Sequence, residues 1–199
     1  MRTCRGATIL VLSFASALAA GAQQAKGAAT PAFSAAAEAQ EFDFLVGQWE
    51  LVVTPKATTL SARIHGAPRL LGTWKAWKAL DGFGIEDEMR IVDGSGNPIS
   101  LSHAVRVYNV GEHRWQTNAL DVYRARFTSS HGLWAGAAMS LSGQTTDAEG
   151  KALHTRSRFF DIKPTGFRFQ QDRSSDGGKT WDEGVLKIVA KRVAAVAPR

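Results

Sequence analysis

Cysteine is nearly absent from this chain: the single one, Cys4, sits in the first few residues. A disulfide framework and a cysteine-bearing zinc site are thereby excluded, and any fold must rest on its core. The five histidines, His65, His103, His113, His131 and His154, make no His-x-His or His-Glu-x-x-His spacing, so no metal site is expected. No Gly-x-Ser-x-Gly elbow and no phosphate-binding glycine loop occur. Charge comes in no block of five or six like residues. Nucleic-acid binding needs such clustering, so it is not expected despite a formal charge of +6. The only long apolar run, Ala7–Ala20, falls short of a standard bilayer span, which favours a cleaved signal over the alternative of an uncleaved anchor. Helical periodicity is also scarce, and glycine or proline punctuates the chain at short intervals.

What is present begins with that run. Arg2 and Arg5 precede it, and Ala20-Gly21-Ala22 offers small residues for cleavage, so residues 1–22 read as a secretory signal. Export to the periplasm or the extracellular space follows as an expectation. The mature chain would carry 22 basic and 18 acidic residues, a net +4, and no thiol. Residues 23–40, rich in Ala, Gln and Gly, read as a flexible leader whose Ala35–Gln40 end can lead helically into Phe42. Residues 41–193 read as one domain and 194–199 as a tail. About 150 residues suffice for one core without cross-links.

Within the domain the pattern is strand, turn, strand. Strands are expected over 47–54, 69–80, 83–92, 100–110, 113–124, 125–129, 133–142, 152–162, 167–173 and 184–193. Asp81-Gly82, the Asp93–Pro98 cluster, Gly111-Glu112, Ser130-His131-Gly132, the Asp147–Gly150 cluster and Pro164-Thr165-Gly166 supply the turns. Nine or ten short strands argue for an all-β antiparallel barrel or sandwich.

Phe42-Asp43-Phe44-Leu45-Val46-Gly47-Gln48-Trp49 sets the head of the first strand. Gly47 allows a sharp turn out of the apolar cluster, and Trp49 can plug one end of a barrel. On the last strand Leu186, Ile188, Ala190 and Arg192 share a face, which puts a guanidinium where it can stack on that indole. Leu80-Asp81-Gly82-Phe83-Gly84 and Ser174-Ser175-Asp176-Gly177-Gly178-Lys179-Thr180-Trp181 are two further blocks.

The Gly-x-Trp and the late Arg are similar to the lipocalin (calycin) pattern, and the three blocks together resemble a bacterial family of secreted lipocalin-like proteins catalogued as a domain of unknown function. The resemblance covers residues 41–193. It implies a lipocalin-like β-barrel with Arg192 packed over Trp49 at the closed end, and a long connection over 55–68 serving as a lid at the open end. The third block also looks like the Asp-box of sialidase-type propellers. A propeller requires several copies, so one copy reads as a self-stabilised hairpin in which Asp176 ties the loop, Gly178 takes positive φ and Trp181 packs beneath.

Candidate ligand-lining residues follow from alternation. Asp87 shares a face with Ile85, Met89 and Ile91. Facing inward, it would orient a ligand or move a proton, or else pair with Arg156 or Arg158 as pure structure. His103 alternates with Leu101, Val105 and Val107, which reads as a satisfied core histidine or as a haem ligand; nothing else speaks for haem, and no cofactor is expected. Trp74 and Trp77 have opposite parity, so only one can face the lumen; Trp74 joins the candidate lumenal set, and whichever ring points outward marks an exposed aromatic surface. Trp115, Phe167 and Phe169 either line a cavity or fill the barrel. The expected function is binding of a small apolar or amphipathic molecule, with a lumenal acid–base enzyme of isomerase or hydratase type and an envelope interaction module as alternatives.

Overall fold

The computed structural model describes residues 33–193 apart from 59, 61–63, 65 and 148. The expected signal, most of the leader, the tail and His65 lie outside the described residues. Ten strands follow one another: β1 (Gly47–Pro55), β2 (Leu70–Ala79), β3 (Gly84–Val92), β4 (Pro98–Asn109), β5 (Arg114–Asp121), β6 (Arg126–Ala135), β7 (Ala138–Thr146), β8 (Ala152–Lys163), β9 (Gly166–Ser174) and β10 (Asp182–Arg192). Each pairs antiparallel with the next, and β1 pairs with β10, so the sheet closes on itself as an up-and-down barrel of lipocalin-like architecture. Closure leaves no sheet edge. Among the described residues no helix is long and apolar enough to cross a membrane.

The two ends differ. At one end the lead-in, with 3-10 turns at Ala37–Gln40 and Asp43–Leu45, folds under the barrel. It inserts Phe42 and Leu45, both fully buried, among Trp49, Trp115, Phe159 and Phe167. The rings meet edge to face: Phe42 lies 4.7 Å from Trp115, and Trp49 lies 4.8 Å from Phe167, an arrangement that pairs ring edge with ring face favourably. The Trp49 indole donates to Leu45 O at 2.7 Å, and the Trp115 indole donates to Glu41 Oε2 at 2.9 Å. Lys78 forms an ion pair with Asp43, a further tie between β2 and the lead-in.

Arg192 locks this closed end. Its guanidinium carbon stands 4.0 Å from the Trp49 ring centre, and its nitrogens donate to Val46 O, Phe44 O and Pro164 O. Gly47 has φ +128° and faces the same guanidinium, so a Cβ there would collide with it.

Two boundaries differ from the sequence expectation. Ser130-His131-Gly132 is no turn but the middle of β6, and the chain reverses at Gly136. Gly132 serves close strand approach: a Cβ on it would stand 2.6 Å from Ser140 O. The break between β5 and β6 is a 3-10 turn, Val122–Arg124, closed by Ala125 in the left-handed region. The connection expected as a lid lies between β1 and β2 at the open end, in part outside the described residues.

Candidate functional site

Above the aromatic plug the barrel is not filled. A lumenal cavity of about 260 Å³ opens away from the closed end. Its apolar lining comes from Trp74, Met89, Phe159 and Phe169, and its polar lining is mostly hydroxyl and amide, including Ser102, Thr128, Ser130, Thr155, Ser157 and Gln171. The alternatives left open by the sequence are thus both realised: the closed half is packed and the other half is hollow.

The floor of the cavity is a buried ion pair. Asp87 is 3 % exposed and Arg106 7 %. Arg106 Nε donates to Asp87 Oδ2 at 2.6 Å, and Nη2 donates to Oδ1 at 3.3 Å. The Trp74 indole also donates to Asp87 Oδ1, at 2.8 Å, and Arg106 Nη1 reaches Thr117 Oγ1 at 3.5 Å. The register explains the space. Asp87 stands opposite Ala76 on β2 and Ala104 on β4, and Ala104 stands opposite Ala119 on β5. These small side chains leave room for Arg106, two residues along β4 on the same face, to reach back diagonally. The guanidinium also sits over Phe42, 5.2 Å from its centre, so it caps the plug as it floors the cavity. A planar fork suits this double duty better than an ammonium.

This pairing corrects the sequence reading. Neither Arg156 nor Arg158 faces Asp87. Arg156 is on the outer surface, bonded to Asp172 at 2.7 Å and Glu183 at 2.8 Å, and Arg158 lies over Phe160. Both Asp87 oxygens accept from fixed donors, which removes the basis for the lumenal acid–base enzyme.

The candidate residues divide. Trp74, Asp87, Met89 and Phe169 meet around the cavity. Trp115 and Phe167 belong to the packed end beneath it. His103 is on the outside: its ring is half-exposed, 3.7 Å from Glu86 and 6.0 Å from the Trp77 ring, which is also outward. The reason is register, since Asp87 opposite Ala104 fixes the even-numbered residues of β4 as the inner set.

Gly47, Trp49 and Arg192 form the closed-end lock described above. In the β9–β10 hairpin Asp176 accepts from Thr180 N and Thr180 Oγ1, Gly178 has φ +89°, and the Trp181 indole donates to Gly178 O at 3.0 Å. Hydrogen bonds from Thr180 hold the Asp176 carboxyl well below its ordinary value. Nearby, burial would raise the Asp172 carboxyl, but bonds from Gly184 N–H, Arg156 and Gln170 outweigh it and leave it lowered.

The mouth holds what the sequence reading missed. Asp121 and Arg126 face each other across β5 and β6, and Arg173 comes in from the end of β9. All three also line an open recess of about 790 Å³ just outside, with Arg124, Asp147 and Thr146. The signal was available in principle, since Arg173 continues the inward row of Phe167, Phe169 and Gln171.

No protein-family model matches the chain, and no curated protein matches it.

Proposed function

We propose that this protein is an exported lipocalin-like barrel that binds one small amphipathic molecule in its lumen. A single observation carries the reading: a closed barrel with one end packed solid and the other left as a cavity of about 260 Å³ over a fixed polar floor. Ligand sites typically combine an apolar lining with a few positioned polar groups. Here Trp74, Phe159 and Phe169 supply the first, and the lumenal hydroxyls with Gln171 supply the second. The volume lies just under the usual range for ligand pockets, roughly 300–1,000 Å³, and so favours a small occupant. Export is supported by the signal-like residues 1–22.

Native mass spectrometry of the mature protein, purified from its own host, tests the reading. An adduct of defined mass that leaves on denaturation is the expected result, together with saturable one-to-one quenching of tryptophan fluorescence by a matched ligand. A clean mass, with no saturable response to any amphipathic probe, would sink it.

A further inference from the structure

The mouth of the lumen carries more positive charge than its own acids use. Three guanidinium groups converge there, from Arg124, Arg126 and Arg173. One carboxylate, Asp121, shares its Oδ2 between Arg124 Nη1 at 3.0 Å and Arg126 Nη2 at 3.5 Å, while its Oδ1 is buried without a hydrogen-bond partner, so two carboxylates stand against three guanidinium groups. The other rim acid, Asp147, turns its Oδ1 onto its own loop and accepts from Glu149 N–H and Lys151 N–H. Asp182, beside Arg173 on β10, is ion-paired with Lys56. Among the described residues the Arg173 side chain therefore has neither an ion pair nor a hydrogen bond, and Arg126 Nε is buried without a hydrogen-bond partner. Placing two guanidinium groups side by side on a half-enclosed rim is unfavourable unless an anion comes between them. Partial enclosure at the rim and the nearby Arg126 charge lower the Arg173 guanidinium from its ordinary value, against an opposing pull from Asp182.

Resting on the lumenal-binding reading, we infer that the ligand carries one anionic head group, a carboxylate or a phosphate, held at the mouth between Arg126 and Arg173. Its apolar body extends inward along Phe169 and Phe159 toward Trp74. Both arginines line the cavity and the outer recess alike, so the head group sits where the two spaces meet. Arg126 is held in place by its terminal nitrogens, Nη1 on Thr146 O at 2.5 Å and Nη2 on Asp121, and offers a fixed positive charge whose Nε–H has no partner, whereas Arg173 is solvent-accessible and supplies the second charge. The floor pair Asp87–Arg106 is mutually satisfied and recruits no charge of its own.

The test compares octanoate, octyl phosphate and neutral 1-octanol by calorimetry on the mature protein and on Arg173→Gln and Arg173→Lys. One charge-assisted contact corresponds to about a tenfold or greater change in affinity. The better of the two anions is expected to bind about tenfold tighter than octanol. Arg173→Gln should remove that advantage and leave octanol binding unchanged, while Arg173→Lys keeps part of it. Added salt should weaken the anion and not the alcohol. The preferred anion identifies the head group. Octanol binding as tightly as both anions, or Arg173→Gln sparing the anion in a folded variant, overturns the inference while leaving lumenal binding intact. Failure of all three probes overturns both.

Discussion

Replacing Asp87 by alanine strands a charge. Arg106 is 7 % exposed, and among the described residues Asp87 supplies its only carboxylate, with contacts at 2.6 and 3.3 Å. The same change orphans the Trp74 indole, which donates to Asp87 at 2.8 Å. Breaking a buried pair by removing one partner costs about 3–5 kcal/mol. Domains of this size are stable by roughly 5–15 kcal/mol, so the loss is a large share of the total. At about 2–4 °C per kcal/mol the melting temperature should fall by roughly 6–20 °C.

The single variant alone does not separate desolvation from packing, so a cycle is needed. Arg106→Met should also destabilise, because it leaves the carboxylate buried with only the indole as donor. The double variant Asp87→Ala/Arg106→Met removes both charges and puts an apolar chain in the space. It should be clearly more stable than the sum of the two losses implies, with a coupling of about 2 kcal/mol or more. Urea unfolding followed by circular dichroism, with the m-value checked for constancy, measures all four corners. A loss under about 1 kcal/mol for Asp87→Ala, or strict additivity, would refute the claim that the floor is desolvated.

Arg192→Ala should cost about 2–4 kcal/mol by chemical denaturation, from the stacking on Trp49 and the hydrogen bonds to three carbonyls; Arg192→Lys should recover little, because an ammonium cannot fork among them. Gly132→Ala should lower the melting temperature despite its lying mid-strand, since its Cβ would press on Ser140 O, and an alanine tolerated without loss would mean that the strands have slack there. Asp172 and Asp176 both titrate below the ordinary carboxyl value of 3.8 in the folded protein. Their folded values are depressed, so their contribution is complete above the unfolded value and drains away as pH falls below it. Asp176→Asn should therefore flatten the acid limb of the stability curve, and an unchanged limb would remove Asp176 from it.

The parts of the fold legible in the sequence are those where the inner face is purely apolar. Along β1, Trp49, Leu51 and Val53 alternate with polar or half-buried residues, and along β10 so do Ile188 and Ala190. There periodicity gives both the strand and its inward side. The same rule inverts on β4, whose outward residues Leu101, Val105 and Val107 are more apolar than its inward Ser102, Ala104 and Arg106. A hydrophobic-face rule assigns His103 inward because it assumes an apolar interior, and this half of the interior is polar. On β6, serine and threonine occur on both faces, so alternation carries no signal and a mid-strand glycine reads as a turn. Arg106 was hidden for a related reason. An arginine in a strand is ordinarily solvated, and only a buried acid diagonal to it, with alanines clearing the way, makes it an inward residue.

The polar lumen is tenable because the closed end does most of the holding. The lead-in delivers Phe42 and Leu45 into a ring of aromatics, with Phe159 continuing the contact upward to Phe169 at 5.0 Å. Fully buried side chains of this kind contribute about 1.5–3 kcal/mol each, and most of them, Phe42, Leu45, Trp49 and Trp115 among them, lie below the cavity, with Phe159 alone of this set reaching its wall. The wall strands are then held by their ladders, closed all the way round. Hydroxyls and amides can face the hollow half without an apolar core to disrupt, provided solvent or a ligand meets them. Arg106 joins the two regimes: one face of its guanidinium rests over Phe42, and its edge closes on Asp87. The depth of the cavity is therefore set by one residue, whose position depends on the aromatic plug below and the carboxylate beside it.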